Sequence, residues 1–256
     1  MKLFTGLFLL AVGAALALPA AADELKDQAV ARLAASHDPV IPVAIGRIVV
    51  KQAGLKAFRQ RLAEQGRRNA LGSSWNMNAP EWQAAERKLT TAIDDLVATR
   101  LEQGAWMQEG WAGVASAVLN AEEADEIGTH FSTDGGREQR IVVELLIVGE
   151  TVLANYTFTD RLDYQVKGTE ADVARLQEIW WSREPFRVRD FSAYPGAIRF
   201  AGENPGVKYT KALAIQGIEV VTRRIDSAAA QAVTLAKAMD LDPFIEAYRQ
   251  RTSGAN

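Results

Sequence analysis

The sequence contains no cysteine and only two histidines. The absence of cysteine excludes disulfide bonds, thiolate metal ligands, iron–sulfur clusters and cysteine nucleophiles together. The histidines show no metal-binding spacing: H-E-x-x-H does not occur, and Glu126 lies four positions before His130, whereas the helical di-iron pair requires three. We therefore predict that the protein binds no metal ion.

Neither sign of charge is in large excess, because 29 basic residues accompany 32 acidic ones and the formal net charge is −3. This balance argues against a strongly basic nucleic-acid-binding protein. The sequence also lacks a Walker A loop and a dinucleotide G-x-G-x-x-G turn, so we predict no nucleotide and no other cofactor. A hydrophobic content of 48% in 256 residues is that of an ordinary globular protein and excludes a disordered chain.

A long apolar run occurs only at the start of the chain. Met1-Lys2 is followed by Leu3–Leu18, which is apolar except for Thr5, and then by the small residues of Pro19–Ala22. This order is typical of a cleavable secretory signal peptide. The run of about 16 residues is shorter than the ~20 that a helix needs to cross a bilayer. We predict that residues 1–22 are a signal peptide and that the mature protein is periplasmic, with full secretion as the alternative.

Apolar residues at steps of three and four indicate helices along much of the mature chain. Asn78–Glu81 has the residues of a helix start. The apolar stripe that follows it consists of Trp82, Ala85, Leu89, Ile93, Leu96, Val97 and Leu101. Asn120 and Glu123 have the spacing of a capping box and predict a second helix. Further helical spacing occurs at Thr169–Trp181.

The longest helical pattern runs from Val207 to Met239. Its stripe consists of Ala214, Ile218, Val221, Ile225, Ala229, Ala232, Ala236 and Met239. A last helix is predicted at Pro243–Arg251. The sequence therefore predicts an all-α fold, in one helical domain at 23–256 or in two lobes at 23–160 and 168–256. Alternating apolar residues at 156–166 leave a small β-hairpin as the structural alternative.

Two segments of the sequence are faintly similar. His130–Glu138 precedes Phe200–Lys208 by 70 positions, and each follows a short predicted helix and leads into a longer one. In both segments a glycine, Gly136 or Gly206, occupies the same position. Only glycine adopts a positive φ without steric cost, so we predict that both glycines form tight turns in two related helical hairpins.

These segments resemble the exported bacterial family known as domain of unknown function 2059, possessing part of its motif aromatic-aromatic-x-Ser/Thr-Pro-x-Gly-x-Lys after an acidic helix. The acidic helix corresponds to Glu122–Ile127. The matching positions are His130, Phe131, Thr133 and Gly136 in the first segment, and Phe200, Gly206 and Lys208 in the second. Asp134 and Glu138 depart from the motif. The resemblance implies an exported helical protein and names no activity.

Basic residues are concentrated between Arg47 and Arg68, where seven of them accompany only Glu64. Apolar residues at Ile48, Leu55, Phe58 and Leu62 complete a basic amphipathic helix. Such a helix binds an anionic membrane surface or an envelope protein. The candidate contact residues are Arg47, Lys51, Lys56, Arg59, Arg67 and Arg68. Alternatively, these cations pair with the acidic segment Glu81–Glu126 or face water.

The sequence offers no convincing catalytic group. Ser132, His130 and Asp134 are too close along one turn for a working triad, and we predict turn and capping roles for Ser132 and Asp134. Trp180 and Trp181 are adjacent and cannot both point the same way on a helix, so one of them is a candidate ligand-binding residue.

We therefore expect a non-enzymatic, exported helical protein that binds a partner or an envelope component. One alternative is a carrier of an apolar small molecule or lipid between its helices, with Trp180 or Trp181 lining the cavity. The other is an envelope hydrolase that uses paired carboxylates. The sequence leaves the oligomeric state open.

Overall fold

The computed structural model describes residues 23–37, 39–68, 76, 78–142 and 204–253. The described residues are predominantly helical and include no strand, which confirms the predicted all-α fold. The predicted signal peptide 1–22, the hairpin alternative at 156–166, and the helix at Thr169–Trp181 with Trp180 and Trp181 lie outside them.

The described helices follow one another with short connections. In chain order they are α1 (23–35), α2 (Val40–Arg68), α3 (Pro80–Val97), α4 (Trp106–Val118), α5 (Ala121–Ser132), α6 (Asp134–Val142), α7 (Asn204–Ala212), α8 (Ile218–Ala238) and α9 (Asp242–Ser253). Two π-helical segments, Ala98–Glu102 and Leu213–Gly217, continue α3 and join α7 to α8. None of the helices in this part of the chain combines the length and apolarity needed to cross a membrane.

The chain divides into two compact units, each built from segments that are distant in sequence. The first contains α1, α4, α5, α6 and α7. The second contains α2, α3, α9 and the part of α8 that begins at Val221. The predicted lobes at 23–160 and 168–256 would meet at residues that the structure does not describe.

The first unit has an aromatic core. Trp111 of α4, Phe131 of α5 and Tyr209 of α7 are fully buried, together with His37, which follows α1. Arg32 and Asp125 form an ion pair of 2.6 Å that joins α1 to α5. Side chains from four segments therefore meet in one cluster.

The start of α5 confirms the predicted capping box. The Asn120 side chain accepts a hydrogen bond from the Glu123 amide, and the Glu123 carboxylate accepts one from the Asn120 amide, both at 2.9 Å. These two bonds satisfy amide donors that a helix N-terminus otherwise leaves without partners. The Lys208 ammonium of α7 also donates hydrogen bonds to both oxygens of the Glu123 carboxylate.

The second unit has an apolar core between α2, α3, α8 and α9. The predicted stripe of α3 is buried at Trp82, Ala85, Leu89, Ile93 and Val97, and continues with Leu101 of the π-helical segment. Trp82 stacks on Tyr248 of α9 with ring centroids 5.3 Å apart. This aromatic pair fixes the last helix against the first turn of α3.

The predicted helix Val207–Met239 is confirmed as a continuous helical path through α7, the π-helical segment and α8. From Val221 onward the predicted apolar stripe is buried, at Val221, Ile225, Ala232 and Ala236. Ala214, the first predicted position, is instead exposed, and Leu213 is buried. A π-helical turn contains more residues than an α-helical one, so it shifts the phase of the stripe upstream.

The positive φ predicted for Gly136 and Gly206 is wrong. Both residues lie in the first turn of a helix, Gly136 in α6 and Gly206 in α7, where the backbone is right-handed. Gly136 is required for a different reason. A Cβ atom at this position would lie 1.7 Å from the carbonyl oxygen of His130, because Thr133 alone separates α5 from α6. The Thr133 hydroxyl also accepts a hydrogen bond of 3.1 Å from the Gly136 amide and so caps the N-terminus of α6.

We expect Gly136→Ala to lower the free energy of unfolding by about 1–3 kcal/mol, since the clash is with main chain that cannot rotate away. Gly113 of α4 is the matched control, because a Cβ there meets no atom within 4 Å. Gly113→Ala should raise the stability by roughly 0.5–1 kcal/mol through its helix propensity. Urea unfolding followed by circular dichroism measures both values, and equal effects of the two substitutions would contradict the close approach at Gly136.

Candidate functional site

The basic helix α2 packs against α3 with charged side chains along the edge of the contact. The ion pairs are Arg59–Glu86 at 3.5 Å, Lys51–Asp94 at 3.1 Å, Arg47–Asp94 at 3.6 Å and Arg47–Glu102. Residue numbers in α2 rise as those of the partners fall, so the two chain segments run antiparallel. The pairing that the sequence left as an alternative is therefore present for these three cations.

The paired cations are spread around part of the α2 surface. Lys51 follows Arg47 by four residues and Arg59 follows Lys51 by eight, which places the three side chains over about 120° around the helix axis. Lys51 is the most buried of the three, with 16% of its side chain exposed. Their charges are offset by carboxylates of the same unit, which leaves them poorly suited to attract a partner.

The remaining predicted contact residues of α2 are more accessible than the paired ones. Lys56, Arg67 and Arg68 are exposed. Lys56 and Arg67 are eleven residues apart, about three helical turns or roughly 16 Å along the axis, and therefore share a face. Arg67 and Arg68 form no ion pair with any described residue. We call Lys56, Arg67 and Arg68 the outer basic face.

Arg61, a further cation of α2, has a structural role. Its guanidinium donates to the carbonyl oxygens of Ala236, at 3.1 Å, and of Met239. The last carbonyl groups of a helix lack partners within it. Arg61 therefore closes the C-terminal end of α8 and fixes α2 against it.

The last turn of α5 and the start of α6 hold the polar residues considered for catalysis. The Ser132 hydroxyl donates to the Gly128 carbonyl at 2.9 Å, and Asp134 pairs with Arg137 in the first turn of α6. His130 Nε2 lies 2.9 Å from the Gln139 amide oxygen. These local contacts hold the helix junction and do not aim a nucleophile at a base.

A buried histidine is the feature that the sequence did not predict. His37 is 3% exposed, and its Nε2 lies 2.8 Å from the Tyr209 hydroxyl. The His37 ring also lies 4.3 Å from the Trp111 ring and 5.7 Å from the Phe131 ring, between centroids. Because these partners are far apart in sequence, no local spacing indicates that they meet.

Two carboxylates are held in the ionised state by neighbouring cations. The Arg251 guanidinium donates to both oxygens of Glu81, at 2.6 and 3.2 Å, and this contact lowers the pKa of Glu81. The hydrogen bond from the Lys208 ammonium lowers the pKa of Glu123, and the hydrogen bond from the Asn120 amide lowers it further by a smaller amount. Neither carboxyl is therefore suited to donate a proton near neutral pH.

The described residues contain no group of three or more histidine, aspartate or glutamate side chains placed to hold a metal ion. Trp180 and Trp181 lie outside this part of the chain, so the structure does not place the predicted ligand-binding pair. Comparison of the chain with protein-family models, curated proteins and solved structures finds no match. The resemblance to the exported family accordingly rests on its short motif alone.

The Glu81–Arg251 pair predicts a pH dependence of stability. The folded-state pKa of Glu81 is below its ordinary value of 4.5, so the pair stabilises the folded state above that value. The contribution is lost as the pH falls through the folded-state pKa. We expect Glu81→Gln to be less stable than the natural protein at pH 7, and this difference to shrink at pH 3.

Urea unfolding at the two pH values, followed by tryptophan fluorescence, measures this difference. Glu246→Gln is the control, since Glu246 is an exposed carboxylate of α9 that accepts a hydrogen bond from Gln250 of its own helix and from no other residue that the structure describes. A Glu81→Gln deficit that is the same at both pH values would show that the carboxylate charge is not its cause.

Proposed function

We propose that the protein is an exported, non-enzymatic helical protein that binds an anionic component of the cell envelope through its outer basic face. The observation that supports this proposal is the division of the cations of α2. Arg47, Lys51 and Arg59 pair with α3 and the π-helical segment that continues it, whereas Lys56, Arg67 and Arg68 are exposed and the last two form no ion pair with any described residue.

The division matters because the field of a cation next to a carboxylate falls off rapidly in water. Glu64 is the acidic residue of α2, so the basic residues of this helix outnumber its acidic ones. Each Lys or Arg near an anionic membrane surface contributes about 1 kcal/mol. Three such residues give a weak, reversible and salt-sensitive contact.

Export is supported by the order of charged, apolar and small residues in 1–22. The periplasmic face of the inner membrane, which presents anionic lipid headgroups, is then the nearest surface of the required charge. The carrier alternative depends on Trp180 and Trp181, and the hydrolase alternative on a carboxyl group that donates a proton. Glu81 and Glu123, with their lowered pKa values, do not provide such a group.

The test is sedimentation of the mature protein with vesicles that contain 30% phosphatidylglycerol in phosphatidylcholine. We expect binding at low salt that weakens as salt rises, and no binding to pure phosphatidylcholine. The triple variant Lys56→Gln, Arg67→Gln, Arg68→Gln should bind about a hundredfold more weakly, since it removes roughly 3 kcal/mol of attraction.

A triple variant with the same change in net charge provides the control. Lys211, Lys237 and Arg249 are exposed cations that belong to helices other than α2, and their replacement by glutamine should leave most of the binding intact. An equal loss in both triple variants would show that net charge alone determines binding. Unchanged binding by the first triple variant, or no binding by the natural protein, would overturn the proposal.

A further inference from the structure

An apolar stripe joins α9 to the core of the second unit. Leu241, which immediately precedes the helix, and Ile245 and Tyr248 within it are all buried. Steps of four and three residues place them on one face, toward the core that α2, α3 and α8 also line. Among the described helices, α9 makes its most extensive contact with α3. The position of α9 therefore depends on α3 more than on any other described helix.

One arginine adds a polar contact to this stripe. The Arg251 guanidinium donates to both carboxylate oxygens of Glu81, at 2.6 and 3.2 Å. It also lies over the Tyr248 ring, with Cζ 5.2 Å from the ring centroid, and Tyr248 in turn stacks on Trp82. A bidentate ion pair and a guanidinium over an aromatic face both stabilise the docked helix. Because Glu81 and Trp82 are adjacent in α3, the ion pair and the ring stack form or break together.

The helices on which α9 packs are also held together by contacts that do not involve it. Arg61 of α2 donates to the carbonyl oxygens of Ala236 and Met239 and so fixes the end of α8. Ion pairs and buried apolar side chains join α2 to α3. The connection from α8 to α9 begins at Met239, the residue that Arg61 holds. This connection is therefore anchored at its α8 end whether or not α9 is docked.

We infer that α9 is a strap that opens from α3 as a unit while α2, α3 and α8 stay folded, and that the contacts of Arg251 determine how often it opens. Parts of a protein detach locally at a lower free energy than that of global unfolding. Opening takes Ile245 and Tyr248 out of the core and separates Tyr248 from Trp82. It thus exposes apolar surface of the second unit without unfolding the unit. The strap uses residues outside the outer basic face and does not depend on the function proposed for that face.

The test is hydrogen exchange of the mature protein at urea concentrations below its unfolding transition, followed by mass spectrometry of peptides from α3 and α9. We expect the amides of α9 to exchange faster than those of residues 85–93 in α3. Their exchange should also depend less on urea, since the opening exposes less surface than global unfolding does. One common rate and one common urea dependence for the two helices would show that α9 opens only when the protein unfolds.

Two substitutions separate the strap from the rest of the unit. Arg251→Gln removes contacts that are present when α9 is docked and lost when it opens, so it should accelerate exchange of α9 about tenfold. Ile93→Val is the matched control, because Ile93 is fully buried in α3 and faces Gly54 of α2. It weakens packing that persists when α9 is open. It should therefore accelerate exchange of α3 by about two- to tenfold and leave that of α9 unchanged.

A third substitution examines the geometry of the Arg251 contact. Arg251→Lys keeps the positive charge but not the two parallel hydrogen bonds, so exchange of α9 should lie between that of the natural protein and that of Arg251→Gln. Circular dichroism checks that each variant folds. Unchanged α9 exchange in Arg251→Gln would overturn the inference, and so would an Ile93→Val variant that accelerates α9 as much as α3.

Discussion

The arrangement on which the second unit depends is the antiparallel packing of α2 against α3. Burial of the apolar stripes brings the flanking charges together, and Lys51 and Arg47 become partly buried at 16% and 27% side-chain exposure. A partly buried cation without a partner loses hydration that nothing replaces. Asp94, placed between the two, provides that replacement. The hydrophobic contact between α2 and α3 therefore determines which charged side chains form ion pairs at its edge.

The features that the sequence predicted correctly are those determined by residues close together in the chain. The capping box at Asn120 needs only four consecutive residues, and both of its hydrogen bonds are present. The buried stripe that begins at Trp82 follows from the period of one helix. The predicted phase failed at Ala214, because a π-helical turn changes the number of residues per turn and composition does not indicate where one occurs.

The candidate sites were harder to predict because they combine residues from distant parts of the chain. A sequence shows that Arg47 is basic and Glu102 acidic, but only the packing shows that they pair. His37 and Tyr209 meet in the same way. Gly136 differs from both: its need for glycine was recognised, while the reason is a close approach of the His130 carbonyl and not a positive φ. Residue type can thus indicate that a position is constrained before the structure identifies the constraint.

The cations of a basic amphipathic helix either pair within the protein or attract a partner, and the packing of α2 decides this for three of them. Arg47, Lys51 and Arg59 pair with carboxylates of α3 and of the π-helical segment that continues it. A step of eleven residues, close to three full turns, places Arg67 on the same side of the helix as Lys56. The C-terminal turn adds a second effect, because its carbonyl groups carry partial negative charge that favours Arg67 and Arg68 in place. Arg67 and Arg68, which form no ion pair with any described residue, therefore place positive charge at the C-terminal end of α2.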